Sequence, residues 1–175
     1  AKALREQLQN QKATALNFEE RLGLLIDREM TERENKRLAT RLRTAKLRIS
    51  AAIEDIDFRQ PRGLDKSLLL SLASNQWITE HHNLLIIGPT GVGKSYLACA
   101  LSHKACRDGH LVVYQRLPRL LEELALSHHD GRYRKLMKSL LKADLLVLDD
   151  FGLAPLTTEQ QRDLLEIIDD RYDRR

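Results

Sequence analysis

The apolar positions of the chain change rhythm twice. From Phe18 they recur at helical spacing through Leu22, Leu25, Ile26 and Met30, behind an Asn17…Glu20 pair that fits a capping box. A second stripe, Leu38, Leu42, Ala45, Ile49, Ala52, Ile53 and Ile56, keeps the same period and predicts helix as far as residue 57. Gly23 weakens the first stripe modestly. Phe58-Arg59-Gln60-Pro61-Arg62-Gly63 then breaks the pattern with Pro and Gly two apart, which predicts a linker over residues 58–63. Asp65 stands where it can cap a short helix bearing Leu68, Leu69, Leu72 and Ala73.

From residue 84 short apolar runs replace the stripes. Leu84-Leu85-Ile86-Ile87, Leu111-Val112-Val113-Tyr114 and Leu145-Leu146-Val147-Leu148 read as three buried parallel strands. Helical patterns fill residues 94–107, 118–128 and 132–142. A last helix, capped by Thr157 or Thr158, carries Leu164, Leu165, Ile167, Ile168 and Tyr172. Strands alternating with helices predict an α/β fold, a parallel sheet with helices on both faces. The expected organisation is a helical module over residues 1–57, the linker, and an α/β core over 64–175. No internal repeat or low-complexity segment interrupts it.

The junction of the first strand and the following helix carries chemistry. Gly88-Pro89-Thr90-Gly91-Val92-Gly93-Lys94-Ser95 satisfies G-x-x-x-x-G-K-[ST] in full. At average composition, chance yields such a match at on the order of a few positions per hundred thousand. Gly88, Gly91 and Gly93 allow a backbone curl that aims successive N–H groups at phosphate oxygens. The next helix adds its N-terminal dipole. Lys94 is placed to reach the β- and γ-phosphates of ATP, the Ser95 hydroxyl to ligate Mg²⁺, and Tyr96 to close the binding segment. The third apolar run ends in Asp149-Asp150, a Walker B pattern. Asp149 is the candidate Mg²⁺ residue. Asp150 is the candidate catalytic residue, with Lys94, placed to orient or deprotonate the attacking water.

Charge adds a second theme. Net charge is +4, and all of the excess lies in residues 1–63, with 14 Lys+Arg against 10 Asp+Glu; the remainder holds 15 of each. The run Arg33, Lys36, Arg37, Arg41, Arg43, Lys46 and Arg48 encloses one acid, Glu34, and can neutralise phosphates of duplex DNA. A second basic stretch, Arg132, Arg134, Lys135, Lys138 and Lys142 around Tyr133, can track a phosphate backbone, or serve as an ordinary exposed helix face. Two cysteines, Cys99 and Cys106, stand seven apart on one helix, about 10 Å along its axis. That is too far for a disulfide and fits buried thiols in a reducing cytosol. The pairs His81-His82 and His128-His129 lack ligands at metal spacing. No run approaches the roughly 18 apolar residues of a membrane span, and the first residues hold no signal peptide. The chain begins at Ala1 rather than Met, as a fragment or processed chain does.

Beyond the P-loop, Tyr114-Gln115-Arg116-Leu117-Pro118, Asp144 to Ala154, Asp163 to Ile168 and Asp170-Arg171-Tyr172 resemble the IstB-like ATPases, helpers of insertion-sequence transposases in the DnaA/DnaC branch of AAA+ proteins. The resemblance covers about two thirds of the chain; the N-terminal helices fit it loosely. It implies an AAA+ P-loop fold, a bacterial cytoplasmic protein that binds ATP and Mg²⁺, assembly as a homo-oligomer on double-stranded DNA, and a transposase as partner. It also implies a further strand with a sensor residue, an arginine finger and a lid. The sequence reaches Arg175 without them, so an incomplete core with weak or no turnover is expected. Arg171, Arg174 and Arg175 are poor substitutes for the finger. Alternative readings are a DnaC-like helicase loader, a non-catalytic DNA-binding fragment and, least suited, a small-molecule kinase.

Overall fold

The computed structural model describes Leu4, Glu6, Gln7, residues 16–59 and residues 63–172. The capping box forms as its spacing predicts. The Asn17 side chain accepts from the Glu20 N–H at 2.8 Å, and the Glu20 carboxylate accepts from the Asn17 N–H at 2.9 Å. Helix α1 (Phe18–Ala45) starts there. It stops well short of residue 57. Lys46 adopts φ 51°, and the chain leaves the helix. Ala51, Ile53 and Ile56 are buried from irregular chain that holds one 3₁₀ turn, Ile53–Asp55. The helix-like spacing of Ile49, Ile53 and Ile56 is met by long-range packing, which overrides local propensity.

Residues up to Thr40 form one compact unit and residues from Arg41 a second. This division lies upstream of the 58–63 segment. Ala51, Ile53 and Ile56, with Phe58, pack into the same core as Leu69, Ala73, Cys99, Leu101 and Tyr114. Gln60, Pro61 and Arg62 of the expected linker lie outside the described residues. In the first unit Arg28 pairs with Glu6 and Glu32, while Phe18, Leu22, Ile26 and Met30 remain exposed.

The second unit is built around a parallel pair, β1 (Val112–Arg116) and β2 (Leu145–Asp149), in register Val112↔Leu145 through Arg116↔Asp149. Short helices α2 (Lys66–Leu72) and α3 (Gln76–Thr79) precede it. Asp65 caps α2 as expected, accepting from the N–H groups of Ser67 and Leu68. Helix α4 (Lys94–Arg107) lies before β1, and α5 (Leu117–Asp130) and α6 (Tyr133–Leu141) form the crossover to β2. Helix α7 (Thr158–Tyr172) follows. Thr157 supplies its cap, exchanging hydrogen bonds with Gln160.

Strand alternation divides the apolar side chains between two cores. Tyr114 and Val147 join Cys99, Ala100 and Leu101 of α4 on one side. Val113, Leu146 and Leu148 join Leu120, Leu124, Leu140, Leu164 and Ile167 of α5, α6 and α7 on the other. Helices on both faces are thus as expected, and Cys99 and Cys106 are buried free thiols.

The run Leu84–Ile87 departs from expectation, because it lies in no strand. Leu84 and Ile86 are half-buried, but Leu85 is 82% and Ile87 88% exposed. A parallel strand needs a neighbour to take its N–H and C=O groups. Among the described residues no strand lies beside it, so two of the three expected strands are paired.

Candidate nucleotide site

The glycine-rich loop runs into α4 at Gly93. Gly91 and Gly93 take φ 85° and 96°, left-handed geometry that a side chain resists. Gly88 needs no such freedom; a Cβ there would meet Val92 Cγ2 at 3.4 Å. Lys94 and Ser95 are therefore the first residues of a 14-residue helix, at the positive end of its dipole. The Lys94 ammonium donates to the carbonyls of Gly88 and Pro89 at 2.8 and 2.7 Å. Those acceptors hold it over the loop and are ones it can exchange for phosphate oxygens. Tyr96 is half-buried and packs on the core, so it anchors the helix.

Asp149 ends β2 and is held from two sides. The Tyr114 hydroxyl donates a short hydrogen bond to it, and the Ser95 side chain lies near enough to favour its charged form. Burial works to raise its pKa. The bonds from Tyr114 and the Asp150 N–H outweigh that, aided by the nearby Ser95 side chain and the charge of Arg48, and hold the carboxyl below its usual value. The Tyr114 phenol moves the opposite way, raised by burial and by the adjacent Asp149 carboxylate.

Asp150 takes φ 58°, a left-handed turn that aspartate tolerates better than most residues. Its carboxylate accepts from Arg116 Nε at 2.5 Å, and its N–H donates to Asp149 Oδ1 at 2.9 Å. Arg48 Nη1 lies 3.9 Å from Asp149 Oδ2 and 3.9 Å from Asp150 Oδ2. The two acids thus face two guanidinium groups.

Ser95 opens α4 and Asp149 ends β2, and Tyr96 and Leu97 of that helix share a core with Val147 of that strand. Ser95 and Asp149 offer a hydroxyl and a carboxylate, hard oxygen donors of the kind Mg²⁺ takes together with phosphate oxygens. Among the described residues no group of three or more His, Cys, Asp and Glu gathers to hold a metal unaided. Sequence reading did not place Tyr114, Arg116 or Arg48 here. The first two were findable, because register sets Arg116 opposite Asp149. Arg48 carries no such signal, because in sequence it is one member of the basic run.

That run separates in the structure. Arg33 pairs with Glu29 and Arg37 with Glu34. Arg41 Nε donates to the Cys106 carbonyl at 2.7 Å. Lys36, Arg43 and Lys46 are exposed. In the second stretch Arg132 pairs with Asp130, while Arg134, Lys135, Lys138 and Lys142 are exposed. Tyr133 stacks on His128 at 4.0 Å and donates to Glu166 at 2.7 Å, so its ring is committed to packing. His128 in turn bonds Asp163 at 2.9 Å. Arg171 closes the end of α6 by donating to the carbonyls of Leu140 and Ala143, a structural task. Arg174 and Arg175 lie outside the described residues.

A parallel sheet flanked by helices, with a phosphate-binding loop opening one helix and an acidic pair ending a strand, defines a P-loop NTPase domain. The sequence profile described as "IstB-like ATP binding protein" matches residues 1–175, and the chain belongs to that family. It is 53% identical over 175 residues to "Putative insertion sequence ATP-binding protein y4pL" of Sinorhizobium fredii, covering all of this chain and 71% of that protein. It is 51% identical over 172 residues to "Insertion sequence IS1162 putative ATP-binding protein" of Pseudomonas fluorescens, covering 98% and 74%. With "Insertion sequence IS21 putative ATP-binding protein" of Pseudomonas aeruginosa the identity is 31% over 159 residues, covering 91% and 60%. No helix among the described residues is long and apolar enough to cross a membrane.

Proposed function

We propose that this chain is a cytoplasmic, DNA-associated ATPase that assists a transposase, binding ATP at Gly88–Tyr96 and Mg²⁺ at Ser95 and Asp149. The observation that carries this reading is Lys94 and Ser95 at the start of α4, behind the left-handed glycines of the loop, with Asp149 and Asp150 at the end of the strand β2. The insertion-sequence relatives supply the setting. The cation's part is to neutralise phosphate charge. The chain's part is to cradle the phosphates on loop N–H groups, place Lys94 against them and hold Asp150 for the attacking water.

Duplex DNA is the proposed partner of Arg134, Lys135, Lys138 and Lys142, with Lys36, Arg43 and Lys46 as a second set; assembly on DNA is as a homo-oligomer. About four phosphate contacts predict that raising salt from 50 to 200 mM weakens DNA binding roughly a hundredfold, with little dependence on sequence. Fluorescence anisotropy with labelled duplexes measures this, and a flat salt response would remove these residues as DNA contacts. The reading as a whole is tested by binding of a fluorescent ATP analogue with and without duplex. Saturable binding strengthened by DNA is expected, and binding indifferent to DNA would sink the coupling.

Turnover by the chain alone is expected to be slow, at roughly 10⁻⁴ to 10⁻² s⁻¹, the intrinsic range of P-loop sites without an arginine supplied in trans. Arg116 holds one oxygen of the Asp150 carboxylate, which leaves the other to accept from water but ties part of its charge to the guanidinium. Release of phosphate measured over hours gives the number. A rate of several per second from the isolated chain would contradict it.

A further inference from the structure

Arg48 stands apart from the other cations of its run. Its backbone belongs to a fixed segment: Leu47 and Ile49 pack on the core that holds Ala51, Ile53 and Tyr114. That core also holds Cys99, on the helix that begins with Lys94 and Ser95. From this anchored base the side chain reaches the acidic pair and stops between them, 3.9 Å from an oxygen of each. Asp149 is also bonded by the Tyr114 hydroxyl.

The two arginines differ in grip. Arg116 meets Asp150 at 2.5 Å and belongs to β1, the strand beside the acids. Arg48 bonds neither acid closely and shares its charge between both. Its side chain is about half exposed, so water can receive the guanidinium when it leaves. A cation shared between these two carboxylates lies against Asp149, the acid that a divalent ion at this site would use. A divalent ion taken by Asp149 would face this guanidinium across the same carboxylate, and like charges repel in a partly desolvated site.

Resting on the nucleotide-site reading above, we propose that Arg48 is the protein's own counter-charge for the metal seat. It neutralises Asp149 and Asp150 and is displaced when Mg²⁺ arrives with the nucleotide. Arg48 is thus a positioning residue that sets how much Mg²⁺ the site requires.

The test compares wild type, Arg48→Gln and Arg48→Lys. Nucleotide-free protein is titrated with Mn²⁺, a spin probe for Mg²⁺ seats, and followed by electron paramagnetic resonance. The same proteins are then titrated with MgCl₂ at fixed fluorescent ATP analogue. Arg48→Gln is expected to bind Mn²⁺ about threefold to tenfold more tightly than wild type, and to need correspondingly less Mg²⁺ for half-maximal nucleotide binding. Arg48→Lys is expected to stay near wild type. Adding Asp149→Asn to Arg48→Gln is expected to erase the gain. Unchanged Mn²⁺ and Mg²⁺ dependence in Arg48→Gln would overturn the proposal. So would weaker nucleotide binding at saturating Mg²⁺, which would make Arg48 a phosphate ligand instead. Wild type that binds no nucleotide would defeat the nucleotide-site reading, while the Mn²⁺ comparison would still decide the role of Arg48. Thermal melts verify that each variant is folded.

Discussion

Replacing Lys94 with Ala is expected to weaken ATP binding by about one to two orders of magnitude, as the loss of charge-assisted hydrogen bonds worth about 1.5–3 kcal/mol implies. The ammonium stands on the first residue of α4 and bonds two loop carbonyls, at Gly88 and Pro89. Nothing in the core depends on it. Its removal leaves the apolar packing of Ala100 and Leu101 untouched, so stability is expected to change by no more than about 0.5 kcal/mol. Isothermal titration with ATP and Mg²⁺, beside a thermal melt, separates the two effects. Retained affinity would mean that the loop amides and helix dipole suffice, and that the motif has been misread as a charge-based site. A collapsed melt would mean that Lys94 is a structural tether of its own loop.

The opposite pattern is expected from Leu124→Ala. Leu124 is fully buried between Leu120, Met137, Leu140, Leu164 and Ile167, where α5, α6 and α7 meet the sheet. Removing it takes away its transfer energy and leaves a cavity that three packed helices cannot fill by small movements. The cost is expected to be about 2–5 kcal/mol. Against a total stability of roughly 5–15 kcal/mol, that is a large fraction. The melting temperature is expected to fall by about 10 °C, using about 2–4 °C per kcal/mol for a chain of this size. ATP affinity measured well below the melt is expected to hold. Helix α4 packs on the other face of the sheet, with Tyr114 and Val147. Chemical denaturation gives the cost directly. A loss under 1 kcal/mol would show that the three helices close over the gap, and that this cluster is less tightly determined than its burial indicates. Leu85→Ala is the matched control. That side chain is 82% exposed, so its loss is expected to cost at most about 0.5 kcal/mol.

Local signals decided much of this protein before any tertiary contact. The Asn17…Glu20 box starts α1 and the Thr157…Gln160 pair starts α7, because capping is satisfied within four residues. The helix over residues 94–107 begins and ends where its pattern predicts, and its first turn carries the phosphate-binding motif. A P-loop is legible in sequence because its chemistry uses consecutive backbone N–H groups and adjacent side chains. Asp149 and Asp150 were legible because an apolar strand ending in acids is itself a local pattern.

What the sequence left open depended on residues far apart. The stripe from Ile49 to Ile56 has helical spacing, yet those side chains are buried from irregular chain against α2, α4 and β1, since the core rewards burial in either conformation. The run Leu84–Ile87 has strand composition, but pairing is a property of two segments and no neighbour among the described residues supplies the second. The charges of residues 33–48 look alike in sequence. Folding gives Arg33 and Arg37 to helical neighbours, Arg41 to a backbone carbonyl and Arg48 to the acids of the nucleotide site. Sequence therefore determined which residues could meet phosphate and metal. Tertiary structure decided which arginines face the same acids, because electrostatic partnership depends on distance in space and a charge run records only distance along the chain.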